Sequence, residues 1–221
     1  MKIILKLILT VLIFSSCSKN NNIEKTIEIT EIKIPDINFE QALIDYGVDT
    51  NGLSGTILIR DAEAVTELVI QDKSITNMQG IEAFVGLKTL VCSYNNIMNL
   101  DITNNLLLET LICGNNQLFD LNVTNLKHLI YLDAADNQIT DLDISHNKAL
   151  VYLDISLNQI SHLDLDYNVG LKYMYVFNNQ FTNLDISENV ALIQLYCENN
   201  QLFSVDTSNN IALKELSYGN D

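Results

Sequence analysis

The sequence predicts a mainly-β solenoid, a chain wound into coils with a short strand on each lap. Three observations predict it. The same letters return every 21 residues, as "LIYLDAADNQITDLDISHNKA" at 129–149 gives way to "LVYLDISLNQISHLDLDYNVG" at 150–170, and self-similarity at such a period is the mark of stacked coils. Leucine and asparagine hold fixed places in each repeat, so each lap fills the same core and turns the same corners. A lap of this length leaves little room for a helix on its return side, so a second short strand is expected at "LDIS", residues 142–145.

Residues 1–16 stand outside the fold. Lys2 and Lys6 precede an apolar run and then Ser15 and Ser16, the layout of an export signal with a small-residue cleavage site. Cys17 follows directly, which makes the segment resemble a bacterial lipoprotein signal. That resemblance implies acylation of Cys17 and anchoring in the cell envelope, at the outer membrane. The competing reading is an ordinary secretory signal beside a chance cysteine. Residues 17–34 read as the acylated cysteine, a polar tether and an extended segment in which Ile27, Ile29, Ile32 and Ile34 recur.

Residues 35–64 read as an N-terminal cap. Phe39, Ala42, Leu43 and Tyr46 fall on one face of a short helix. Asp36 or Asn38 can cap its start and Gly47 its end. The stretch 49–63 faintly resembles a calcium loop through Asp49 and Asn51, but Leu53 stands where a ligand belongs. An acidic loop leading into the first coil is the favoured reading.

The solenoid occupies residues 65–221: a first coil at 65–86, six of 21 residues from Leu87, Leu108, Leu129, Leu150, Leu171 and Leu192, and a partial one from Leu213. Leu87, Leu90, Cys92, Asn95 and Ile97, like Leu150, Leu153, Ile155, Asn158 and Ile160, match the L-x-x-L-x-L-x-x-N-x-L core of the leucine-rich repeat. The chain resembles that family from residue 65 to its end. More narrowly, it resembles Bacteroidetes-type leucine-rich-repeat lipoproteins, in which a helix like "IPDINFEQALIDYG" precedes the coils. The resemblance implies a horseshoe or arc with short convex strands or turns, an N-terminal capping helix, and a surface or periplasmic binding protein.

Alternation along each strand sends Leu90 and Cys92 inward and Thr89, Val91 and Ser93 outward. Inward rows then run Leu111/Cys113, Leu132/Ala134, Leu153/Ile155, Met174/Val176 and Leu195/Cys197. Buried cysteine acts as a small hydrophobe, so Cys92, Cys113 and Cys197 read as filler, with a Cys92–Cys113 disulfide the less favoured alternative. Asn95, Asn116, Asn137, Asn158, Asn179 and Asn200 form a corner column, expected to pair the backbone of their own turn and of the next coil. Asn105, Asn147, Asn168, Asn189 and Asn210 form a second column at the return corner. Asp101, Asp143, Asp164, Asp185 and Asp206 form an outward column, open to two readings: a calcium ladder, or caps on local turns. The 8 glycines of the chain favour the turns, since Gly-rich repeats build the known ladders.

For function, the chain carries 28 acidic against 12 basic residues, a formal charge of −16. This excludes nucleic acid, whose phosphates need a basic surface. His128, His146 and His162 take three different repeat positions, and no metal, phosphate or nucleophile motif is present, so neither cofactor nor metal is expected. The outward strand positions are distinctive: Tyr131, Tyr152 and Tyr173 in one file, and Asp133, Asp154, Tyr175 and Tyr196 in the next. The alternative is that stacked tyrosines simply suit a parallel sheet. The expected function is a non-catalytic protein-binding scaffold, lipid-anchored and gripping its partner by the concave face. A glycan-binding lipoprotein using the tyrosine file is the alternative, and a glycosidase using Asp133 and Asp154 a remote one. The last coil supplies Leu213, Leu216 and Tyr218 without a polar cap, so end-to-end self-association or fraying is expected there.

Overall fold

A computed structural model describes residues 30–219. The signal segment, Cys17 and the tether lie outside the described residues. The described residues open with β1 (Glu31–Lys33), α1 (Ile37–Asp45), β2 (Thr56–Leu58) and α2 (Ile59–Glu63). Strands β1 and β2 pair antiparallel, Ile32 opposite Ile57. Eight parallel strands of three residues then follow in sequence order: β3 (Glu67–Val69), β4 (Thr89–Val91), β5 (Thr110–Ile112), β6 (Tyr131–Asp133), β7 (Tyr152–Asp154), β8 (Tyr173–Tyr175), β9 (Gln194–Tyr196) and β10 (Glu215–Ser217). This is the solenoid that the period predicts.

The cap shows why its sequence folds as it does. Asp36 Oδ1 accepts from the backbone N–H of Asn38 and Phe39, and Oδ2 accepts from Thr76 and Asn77. One carboxylate thus starts the helix and ties it to the first coil. Phe39, Ala42 and Leu43 are buried, as the helical spacing predicts. Tyr46 is exposed instead, because α1 ends before it and Tyr46 is the C-cap. Glu40 is buried in its place, its Oε1 accepting from the N–H of Ser54 and Gly55. The stretch read as an acidic loop holds β2 and α2.

Each coil follows one plan. The middle residue of every strand from β3 to β9 is fully buried, as is the next inward residue: Leu90 and Cys92, Leu111 and Cys113, Leu132 and Ala134, Leu153 and Ile155. All three cysteines described are free and buried. Burial pushes the Cys92 and Cys197 thiols up to about 12, so they remain neutral hydrophobes. The chain leaves the strand through a left-handed residue, with φ of 53–56° at Tyr94, Asn115, Asp136, Leu157, Asn178 and Asn199.

The corner asparagine comes next. Asn158 Nδ2 donates to Ile155 O and Ser156 O of its own turn and to Ala134 O of the preceding coil, and its Oδ1 accepts from Ile139 N. The column therefore stitches each coil to the one before it, not to the one after. The reason is direction: carbonyls freed at a turn face the following coil, whose asparagine donates back to them. The second column does likewise, Asn168 Nδ2 reaching Ile144 O and Asn147 O.

No second strand forms at residues 142–145. Asp143 Oδ1 accepts from Ser145 N at 2.9 Å, and this local bond competes with a ladder. Among the described residues no backbone bond joins one such segment to the next. The return side is built from turns.

Candidate functional site: the concave sheet face

The outward residues of β6 to β9 form one aromatic and acidic field. In-register pairing sets Tyr131 beside Tyr152 and Tyr173, and Asp133 beside Asp154 and Tyr175. All are half-buried. The rings of Tyr131 and Tyr152 lie parallel within 4°, centroids 4.0 Å apart. Tyr152 also meets Tyr175 at 5.4 Å and Tyr173 at 6.4 Å, both tilted. Tyr175 meets Tyr196 edge-on at 5.2 Å. Strand spacing near 4.8 Å brings these rings into one contact network, with Tyr152 at its centre.

Hydroxyls fix the far end. Tyr175 donates to Gln194 at 2.7 Å, and Tyr196 and Gln194 both donate to Glu215. Burial, then Tyr131 and the Asp154 carboxylate, push the Tyr152 hydroxyl up, keeping it neutral.

The two aspartates are held by their own turns. Asp133 Oδ1 accepts from Ala135 N at 3.1 Å, and Asp154 Oδ1 accepts from Ser156 N at 3.0 Å and Ser156 Oγ at 2.6 Å. Among the described residues Oδ2 of neither takes a hydrogen bond from the protein. Burial raises both carboxyl pKa values, and the neighbouring Asp154 charge raises that of Asp133 further.

Gly114 escaped the sequence reading: a Cβ there would lie 2.8 Å from Asp133 Oδ1 and 2.9 Å from Ala135 O. Its bare backbone makes room for the carboxylate. So did Val69 and Ile112, which together with the outward Val91 continue the Asp133–Asp154 file on the same face. The β-branched alternation of these strands carried that signal.

No family model matches the chain. A segment of 50 residues, 23% of this chain, is 42% identical to internalin J of Listeria monocytogenes and spans 6% of its length. A solved functional domain of internalin J, which includes a cysteine ladder, superposes with a TM-score of 0.70 at 30% identity. The match covers 86% of this chain and 48% of that domain, so the chain spans about half of it. Internalin C2 of the same species superposes with a TM-score of 0.62 at 18% identity, covering 85% of this chain and 94% of its own. The fold is a leucine-rich-repeat solenoid.

The repeat's other acids behave differently from the concave pair. Asp101, Asp143, Asp164, Asp185 and Asp206 are exposed and accept at Oδ1 from the backbone N–H two residues on. Asn122 takes the same role in its coil through Thr124. Hydrogen bonds from Thr103, Ser145, Ser187 and Ser208 lower the pKa values of Asp101, Asp143, Asp185 and Asp206. Two shallow depressions between coils lie on this side, one by Asp185 and Asp206, the other by Asp120 and Asp143. Among the described residues no aromatic side chain lines either depression, whereas tyrosines border Asp133 and Asp154, so the concave face is the stronger candidate. Asp49 likewise accepts from Asn51 N at the cap.

Proposed function

We propose that this chain is a non-catalytic scaffold of the bacterial cell envelope, lipid-anchored through Cys17, that binds a protein partner on its concave face. The observation that carries the reading is the Tyr131–Tyr152–Tyr175 network beside Asp133 and Asp154. Exposed tyrosines bury large area at little entropic cost, and a row of parallel strands offers an extended concave surface. The likeness to internalin J supports a scaffold of this kind. The aliphatic continuation of the face through Val69, Val91 and Ile112 favours a protein over a sugar, since a protein interface surrounds its aromatic anchors with apolar area.

Site-specific photo-crosslinking tests the face. A benzophenone side chain at position 152 should capture protein from envelope of the producing cells, and the same group at position 143 should not. Capture at 143 alone would move the site to the return side. The anchor has its own test: Cys17→Ser should shift the protein from the membrane to the soluble extracytoplasmic fraction, and an intact, unacylated variant that stays on the membrane would refute the lipid anchor.

A further inference from the structure

What must the partner present? The concave face poses a charge problem that the chain does not solve itself. Among the described residues the ion pairs are Arg60–Asp61 and Lys88–Glu109, and neither reaches the centre of the sheet. Asp133 and Asp154 stand side by side on adjacent strands, half-buried, each with one oxygen unused by the protein. Like charges partly removed from water raise each other's free energy, and an incoming cation reverses the sign of that term. The acids do not stand alone: an aromatic wall borders them, with Tyr152 in contact with Tyr131, Tyr173 and Tyr175.

Resting on the concave-face reading above, we propose that the partner seats an arginine side chain at this point, its guanidinium against the tyrosine wall and its N–H groups directed at Asp133 and Asp154. Three features select arginine. Its planar cation packs on aromatic rings better than the compact ammonium of lysine. Its five donors form a rigid fork suited to carboxylates, and two carboxylates in register on strands spaced about 4.8 Å apart offer it two acceptors. Finally, no group of three acid, histidine or cysteine ligands converges among the described residues, so the pair fits an organic cation better than a metal ion. The aliphatic side chains of Val91 and Ile112 flank the site in the same file and provide an apolar shoulder for the residue next to the arginine.

The test is binding of fluorescent nona-arginine and nona-lysine peptides to the full chain, read by anisotropy at physiological salt. Two double variants change net charge equally: Asp133→Asn with Asp154→Asn on the concave face, and Asp143→Asn with Asp164→Asn on the return side. Asparagine keeps an oxygen for the Ala135 and Ser156 bonds, so the fold is retained. The concave double should weaken nona-arginine about tenfold or more, and the return-side double less than about twofold. Nona-lysine should bind several-fold more weakly than nona-arginine. Equal weakening by the two doubles would reduce the effect to overall charge and overturn the proposal, as would equal binding of the two peptides. Failure here with crosslinking at position 152 intact removes the arginine and leaves the binding face. Failure of both removes the binding face as well.

Discussion

Asp143 and Asp154 lie half a lap apart in the same solenoid and carry the same side chain, yet the fold treats them in opposite ways. Asp143 is exposed, and hydrogen bonds from Ser145 hold its carboxyl pKa below the usual value. Asp154 accepts the corresponding bonds from Ser156, but burial on the concave face outweighs them and its pKa rises. The local motif is identical, an aspartate bonding the N–H two residues on, so the difference comes from surroundings alone. On the return side the acid stabilises a turn. On the sheet the acid is kept at a cost to the fold, which is how binding sites are commonly built.

Both faces hang on the corner column, so the largest effect should come from removing its frame. Asn158→Ala strands Ile139 N and takes one of the two hydrogen bonds from each of Ala134 O, Ile155 O and Ser156 O; it should destabilise by about 1–3 kcal/mol in urea unfolding. Asn122→Ala loses a surface turn and should cost clearly less. Equal midpoints for the two would break the assignment of the column.

Next in size is Tyr152→Ala, which removes the parallel stack on Tyr131 and should cost about 0.5–1.5 kcal/mol. An unchanged midpoint would mean that the concave rings are not packed as a unit. A smaller change of opposite sign is expected at Leu157, which leaves the strand of Asp154 with φ of 55°. Left-handed backbone disfavours a leucine and tolerates asparagine, so Leu157→Asn should stabilise by up to about 1 kcal/mol; a loss would show that the leucine side chain contributes more than the backbone costs.

The smallest effects sharpen the comparison most. At neutral pH Asp154→Asn should raise the urea midpoint and Asp143→Asn should lower it. The signs follow from the shifts. A carboxyl with a raised folded pKa loses stability as pH climbs from 3.8 through that folded value; one with a lowered folded pKa contributes stability above 3.8 that is lost as pH falls through its folded value. Changes of the same sign would place the two acids in equivalent surroundings.

The coil was legible because its period, its leucines and its asparagines repeat one local solution seven times over. Strands β3 to β10 begin where the repeat places them, and Leu90, Cys92 and their counterparts are buried through β9. The return side was less legible. "LDIS" alternates like a strand, but alternation does not reveal that Asp143 turns its oxygen back to Ser145. In the cap, helical spacing placed Tyr46 inside, while the burial of Glu40 depended on Ser54 and Gly55, which lie far along the chain. At the candidate site the tyrosine and aspartate files were readable from register. The stack geometry, the opposite titration of the two aspartates and the space left by Gly114 were not, since each depends on what a neighbouring coil places opposite.

The central claim is that the concave face desolvates its acids while the return side stabilises their ionised form. Carbon-13 NMR of the side-chain carboxyls, assigned with the Asp143→Asn and Asp154→Asn variants, measures this without a partner. The account predicts a titration midpoint for Asp154 above 3.8 and one for Asp143 below it. Coincident midpoints, or the reverse order, would contradict it.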